Sequence, residues 1–176
     1  MTETTDAPTT GKRRATFNTL EVSELRRLTD DSVEITFAVP EELADDYDYV
    51  PGQYVALRKE LDGAEVRRSY SICAVPKRGE IRVAVKKDIG GKFSTWANES
   101  LEVGEKIDVM NPQGAFTSRT HVTSLNDAQK VAAEKVAEKK DTHLVAFAAG
   151  SGITPIMAIA KACLLYTSPS PRDKRQ

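Results

Sequence analysis

Arg68, Tyr70 and Ser71 stand close together in the run Arg67-Arg68-Ser69-Tyr70-Ser71-Ile72-Cys73-Ala74. Side chains alternate along a strand, so Arg68, Tyr70 and Ile72 share one face and Ser69, Ser71 and Cys73 the other. A guanidinium matches phosphate oxygens with paired donors. An aromatic ring two residues on suits a planar ligand. The same residues would also suit an exposed strand face, where Arg and Tyr serve solubility and β-propensity.

Two glycine-bearing stretches carry related chemistry. In Gly90-Gly91-Lys92-Phe93-Ser94-Thr95-Trp96-Ala97-Asn98, paired glycines precede an apolar spacing of Phe93, Trp96 and Ala97. This predicts a glycine loop entering a helix, where close backbone approach and free amides favour a phosphate. A plain turn with an N-cap fits equally. In Gly150-Ser151-Gly152-Ile153-Thr154-Pro155, a glycine turn joins the apolar run His143–Ala149 to the apolar stretch Ile156–Leu165. Strand, glycine turn and helix form the phosphate-binding opening of a nucleotide fold. The pattern G-x-G-x-x-P departs from the dinucleotide fingerprint at its last position and lacks the Gly-Lys-Ser/Thr of a P-loop.

The elements that must position these residues are short. Phe17–Leu28 reads as a strand, and Val33, Ile35, Phe37 and Val39 alternate within Ser32–Val39. Pro40–Asp46 predicts a helical turn with Pro40 at its first position. Tyr54–Lys59 and Glu65–Ala74 are strands joined by an Asp62-Gly63 hairpin turn. Ile81, Val83 and Val85 define a fifth strand and Lys106–Met110 a sixth. Strands of this length between Gly and Pro turns predict an antiparallel β-barrel, followed by the start of an α/β nucleotide domain. Asn126–Lys140 has helical spacing and reads as a solvated linker helix.

Composition narrows the classes. Among 176 residues the net charge is −1, which gives no overall field for nucleic acid or an anionic membrane. No apolar run is long enough to span a bilayer, and Met1–Lys12 lacks the core of a signal peptide, so the cytoplasm is expected. Cys73 and Cys163 are too few and too far apart for a four-cysteine metal site, and His121 and His143 lack ligand-spaced partners, so no metal site is expected.

Taken together and in this order, the three stretches resemble the ferredoxin–NADP reductase superfamily of flavoproteins, over about Phe17 to Cys163. The wording of Val66–Ile72, Gly90–Asn98 and Asn111-Pro112-Gln113-Gly114-Ala115-Phe116 is similar to reductases that serve multicomponent oxygenases. The resemblance implies that FAD and NAD(P)H are the cofactors. Arg68 would pair with the FAD pyrophosphate, Tyr70 would lie against the flavin, and Ser71 would hydrogen-bond near flavin N5, where hydride arrives. Tyr70 and Ser71 would thus stand at the reacting centre. Lys86 would contact the FAD tail. The backbone of Gly91, Lys92 and Phe93, with the hydroxyl of Ser94, would hold the pyrophosphate. Gly150 and Gly152 would admit the nucleotide, and Thr154 would sit where nicotinamide meets flavin.

The implied partners are NAD(P)H and an oxygenase component or ferredoxin, with no nucleic acid and no membrane. Such oxygenase reductases carry a plant-type [2Fe–2S] cluster, which two distant cysteines cannot hold. The expected layout is a disordered lead-in over 1–14, a FAD-binding barrel over 15–120, a linker helix region over 121–140 and a first strand and helix of the NAD(P)-binding domain over 141–163. The tail over 164–176, with two Ser-Pro steps and a basic end, reads as non-native on a C-terminally truncated chain. Another ferredoxin or flavohaemoglobin-type reductase, or a catalytically silent partner-binding barrel, would share the first half of this pattern.

Overall fold

The computed structural model describes residues 14–116 and 146–167. Six antiparallel strands form one sheet: β1 (Phe17–Thr29), β2 (Ser32–Ala38), β3 (Tyr54–Leu61), β4 (Ala64–Ser71), β5 (Glu80–Lys86) and β6 (Lys106–Met110), in the order β4-β3-β6-β1-β2-β5. The sheet curls until its two edges meet. Ile72 bridges Val83, and the Cys73 N–H donates to the Arg82 carbonyl at 3.0 Å. This contact closes the barrel and covers part of both edges.

Period-two patterning sets the core. Val33, Ile35 and Phe37 of β2 lie opposite Val85, Val83 and Ile81 of β5, and all six are buried. Leu20, Val22, Val55, Leu57, Ile107 and Val109 complete the interior from the other strands. The Asp62-Gly63 turn is a two-residue hairpin with both residues at positive φ, 53° and 71°, as the expected dipeptide permits. It fixes the β3–β4 register from Leu61↔Ala64 to Tyr54↔Ser71.

Helix α1 (Lys92–Glu99) packs Phe93 and Ala97 into the barrel. Its far end is clamped by Asn98, whose amide donates to the carbonyls of Val85 and Ser94, while Arg27 donates to the Asn98 side-chain and main-chain oxygens. A second helix, α2 (Ile153–Thr167), follows a 3-10 turn at Gly150–Gly152. It meets the barrel near Gly52.

Four expectations shift. The fourth strand stops at Ser71 rather than Ala74, because from Ile72 the chain leaves β3 for β5, with Ile72 bridging Val83 and the Cys73 N–H on the Arg82 carbonyl. The turn after β2 is a 3-10 turn over Glu41–Leu43, with Pro40 as its cap rather than its first residue. Helix α2 begins at Ile153, not Ile156; Pro155 falls in the first turn, where its missing N–H costs no helical bond. Of the apolar run His143–Ala149, residues 146–149 are exposed and pair with no strand among the described residues. A parallel strand needs a neighbouring strand, and none lies beside it among the described residues. The lead-in, the linker helix, His121, His143 and the end of the tail lie outside the described residues.

Candidate functional site

The barrel gathers Arg68, Tyr70 and the start of α1 at one place. Val66 of β4 and Ile72 just past its end are buried in the core, so Arg68 and Tyr70 between them lie on the same face of the strand. The Tyr70 ring is half-buried and meets Phe93 of α1, with centroids 5.8 Å apart and planes inclined by 36°. Phe93 in turn meets Trp96 edge-on at 5.4 Å, and the Lys59 ammonium stands 5.1 Å from the Trp96 ring centre. Burial pushes the Tyr70 phenol up to about 12. The Arg68 charge acts against that rise, and the Asp88 charge reinforces it. Both charges therefore lie within electrostatic reach of the phenol.

Arg68 is exposed, and its guanidinium donates at 2.7 Å to the Arg67 carbonyl. Arg26, Arg58, Arg78 and Arg82 each pair with carboxylates. Arg68 has no carboxylate partner among the described residues. A cation left without an anion, beside an aromatic ring and a helix start, is a binding group for an anionic ligand.

The loop before α1 supplies the helix start. No side chain caps α1, so its first N–H groups remain open to a ligand. Gly91 is its N-cap residue, and a Cβ there would stand 2.5 Å from the Ser94 hydroxyl oxygen. Ser94 is buried. Its hydroxyl accepts from the Asp88 N–H at 3.0 Å and donates to the Gly91 carbonyl at 3.2 Å. That hydroxyl is spent on holding the loop in shape, and the loop's backbone is what faces outward.

Two lysines near the site stand in ion pairs. The Lys86 ammonium pairs with Asp31 in the β1–β2 turn at 3.4 Å. Lys92 reaches the β3–β4 hairpin tip, 3.8 Å from the Asp62 carboxylate. Each cation already has an anion, so neither presents the free charge that Arg68 does.

Ser71 lies on the other face of β4, half-buried. Its hydroxyl makes no hydrogen bond among the described residues. Directly opposite it in register stands Tyr54, whose ring rests on Gly114; a Cβ on Gly114 would meet that ring at 3.0 Å. The Tyr54 hydroxyl also makes no hydrogen bond among the described residues. Tyr54 and Asp88 were not among the expected site residues. Tyr54 was within reach of the sequence, because the two-residue Asp62-Gly63 turn fixes its pairing with Ser71.

Gly150, Gly152 and Thr154 form a second group at the start of α2. Gly150 has φ of +55°, and open space surrounds both glycines. Thr154 is half-buried in the first turn of the helix. Nearby Phe147, Ile153 and Met157 are exposed apolar side chains.

The fold and the site define a class. The chain belongs to the oxidoreductase FAD-binding domain family, which matches residues 19–118, and its barrel is that of the ferredoxin reductases. Among curated proteins it is 43% identical over 154 residues to a component of the 1,2-phenylacetyl-CoA epoxidase of Escherichia coli (strain K12), covering 88% of this chain and 38% of that one. It is 33% identical over 147 residues to the ferredoxin reductase component of 3-ketosteroid-9-alpha-monooxygenase of Rhodococcus rhodochrous, covering 82% of this chain and 36% of that one. The chain thus spans just over a third of the length of these two relatives. Among solved structures, the Amycolatopsis cytochrome P450 reductase superposes with a TM-score of 0.65 at 23% identity, covering 93% of this chain and 43% of that one. The flavohem-like FAD/NAD binding domain of nitric oxide dioxygenase from Vibrio cholerae gives 0.63 at 23% identity, covering 84% and 56%. These two structures share the fold.

The residues fit FAD. A free guanidinium and an open helix start match a pyrophosphate, a half-buried tyrosine ring matches a flat ring system, and Ser71 offers a free hydroxyl.

Proposed function

We propose that this chain is the flavin-binding part of an NAD(P)H-dependent reductase that delivers electrons through an iron–sulfur centre to an oxygenase. The observation that carries the reading is the uncompensated Arg68 guanidinium beside Tyr70 and the open start of α1. FAD, when bound, supplies the redox chemistry: it accepts a two-electron hydride and releases electrons singly.

The chain's own residues bind, orient and exclude water. Arg68 and the α1 amides hold the pyrophosphate from two sides. Tyr70, held by Phe93, gives the flavin an apolar surface and keeps its phenol neutral. Ser71 offers a hydrogen bond at the edge of the ring that receives hydride. Gly150–Thr154 admits the nicotinamide nucleotide. None of these roles needs an acid–base dyad, since positioning is what the protein contributes.

The particular reductase proposed is that of a phenylacetyl-CoA epoxidase system, and identity to the Escherichia coli epoxidase component over 88% of this chain supports it. A second reading is a flavohaemoglobin-type reductase. It is supported by the Pseudomonas putida flavohemoprotein, 37% identical over 114 residues, covering 65% of this chain and 24% of that one.

The test is an absorption spectrum of the purified chain after incubation with FAD and desalting. Retained flavin bands are the expected result. A folded but colourless protein would reject the flavin reading in favour of a silent partner-binding barrel. The two reductase readings separate on the acceptor: transfer to a [2Fe–2S] protein supports the first, and transfer to a haem domain the second.

A further inference from the structure

The turn that leads into β3 touches three parts of the molecule at once. Gly52 is buried at φ of +101°. A Cβ there would stand 1.9 Å from the Phe116 carbonyl oxygen and 3.1 Å from the Ile159 Cδ1 of α2. Gln53 accepts the Ile72 N–H at 2.9 Å through its main-chain oxygen, and its side-chain amide donates to the Gly114 carbonyl at 3.3 Å. Tyr54 exchanges main-chain hydrogen bonds with Gln113, both at 2.9 Å, and pairs with Ser71. Three consecutive residues thus meet α2, the segment leaving β6 and the strand that carries Ser71.

We propose that Gly52–Tyr54 is the joint that fixes α2, and with it the Gly150–Thr154 loop, to the barrel, and that Gly52 is its positioning residue. The proposal rests on the reading that Ser71 marks where hydride arrives, and it explains how the nucleotide loop keeps its place relative to that point. Gln53 and Tyr54 are held by main-chain hydrogen bonds to Ile72 and Gln113 and by the pairing of Tyr54 with Ser71, so a displacement at Gly52 reaches Ser71 through one strand pair. Helix α2 presents Ala158 and Ala162, both buried, beside Ile159. Small residues let the helix come close, and a side chain at position 52 would push on the Phe116 carbonyl and, beyond it, on Ile159 of the helix. The obstructing Phe116 atom is backbone and cannot swing away as a side chain would. Lys161 supports the same seating, being near enough for its charge to act on the Cys73 thiol.

Helices of this length are marginal in water without packing, so an undocked α2 loses amide protection. Hydrogen exchange of the full 176-residue chain therefore reads the joint directly. Two variants are compared with the parent: Gly52→Ala, which fills the joint, and Ile159→Ala, which removes the helix side without touching the barrel backbone. In both, amides of Ile153–Ala162 should exchange at least about tenfold faster, while those of β2 and β5 stay protected and FAD retention is unchanged. Unchanged α2 exchange in Gly52→Ala would overturn the proposal. If Gly52→Ala instead lowers protection everywhere, Ile159→Ala decides: faster exchange confined to α2 supports the joint, and unchanged exchange overturns it. A colourless parent would sink the flavin reading, while the exchange result would still report on the joint itself.

Discussion

Tyr70 and Phe93 are joined ring to ring at 5.8 Å, which ties the strand bearing Arg68 to the helix whose start faces it. Phe93 is wholly buried and Tyr70 only half so. The pair therefore reaches from the core to the site. The arrangement sets two anion-binding devices, a guanidinium and a helix start, at one spacing, held by the Tyr70–Phe93 packing together with the exposed Lys92–Asp62 ion pair.

Arg68→Ala should weaken FAD binding by about 1.5–3 kcal/mol, the scale of a charge-assisted hydrogen bond. Because Arg68 holds no carboxylate among the described residues, the melting temperature of the FAD-free protein should hardly change. A flavin titration paired with a thermal melt checks both. An unchanged dissociation constant would remove Arg68 from the site. Ser71→Ala should cost less, about 0.5–1.5 kcal/mol, because only a neutral hydrogen bond is lost.

Gly91→Ala should abolish flavin retention on desalting while leaving the barrel folded. At φ of −77° the backbone tolerates alanine, but the added Cβ would stand 2.5 Å from the Ser94 oxygen. Ser94 would have to move, releasing the Asp88 N–H and the Gly91 carbonyl, and the loop would lose the shape that opens the α1 amides. Ser94→Ala removes the same two hydrogen bonds without adding an atom at Gly91, so an equal loss of flavin in Ser94→Ala and Gly91→Ala is the outcome that ties the loss to those bonds, and a smaller loss in Ser94→Ala ties it to crowding.

Phe93→Ala should destabilise the fold by about 3–5 kcal/mol, the usual cost of emptying a buried phenylalanine site. Tyr70 then loses its ring contact, so flavin affinity should fall as well. Phe93→Leu keeps much of the volume and should recover most of the stability but less of the affinity. Denaturant unfolding and flavin titration on both variants separate the two effects. Equal recovery of both would show that Phe93 acts on stability alone.

How far the sequence could be read depended on the range of the interaction. The β2 and β5 pattern, the Asp62-Gly63 turn and the bounds of β6 follow from residues near one another, and all three appear as expected. The grouping of Arg68 and Tyr70 with the α1 loop was legible because each is marked by local residue types. What each polar group bonds was not. Ser94 turns inward to its own loop, Lys86 finds Asp31, and Lys92 finds Asp62, each through spatial neighbours that periodicity does not name. The early end of β4 at Ser71 belongs to the same kind, since it follows from Ile72 meeting Val83 across the closing barrel.

Alkaline pH should destabilise the protein in a specific window. Burial pushes the Cys73 thiol up to about 12 from an ordinary value of 9.0, and the Glu34 carboxylate, 3.7 Å from the sulfur, adds to the rise. The Tyr70 phenol is likewise held near 12 against an ordinary 10.0, and burial also raises Tyr47 and Tyr49. For each group the folded chain keeps its proton at a pH where the unfolded chain releases it. Below about pH 9 both states are protonated and the groups contribute no slope. As pH rises through the window from about 9 toward 12, the unfolded chain ionises first and stability falls. Melting temperature should therefore be flat from about pH 7 to 8.5 and decline beyond about pH 9, and Cys73→Ser should remove the first part of the decline. Because Tyr70 stays neutral throughout the flat range, flavin affinity should show no tyrosine titration there. A decline beginning well below about pH 9, or one that Cys73→Ser leaves untouched, would show that other groups govern the alkaline limb.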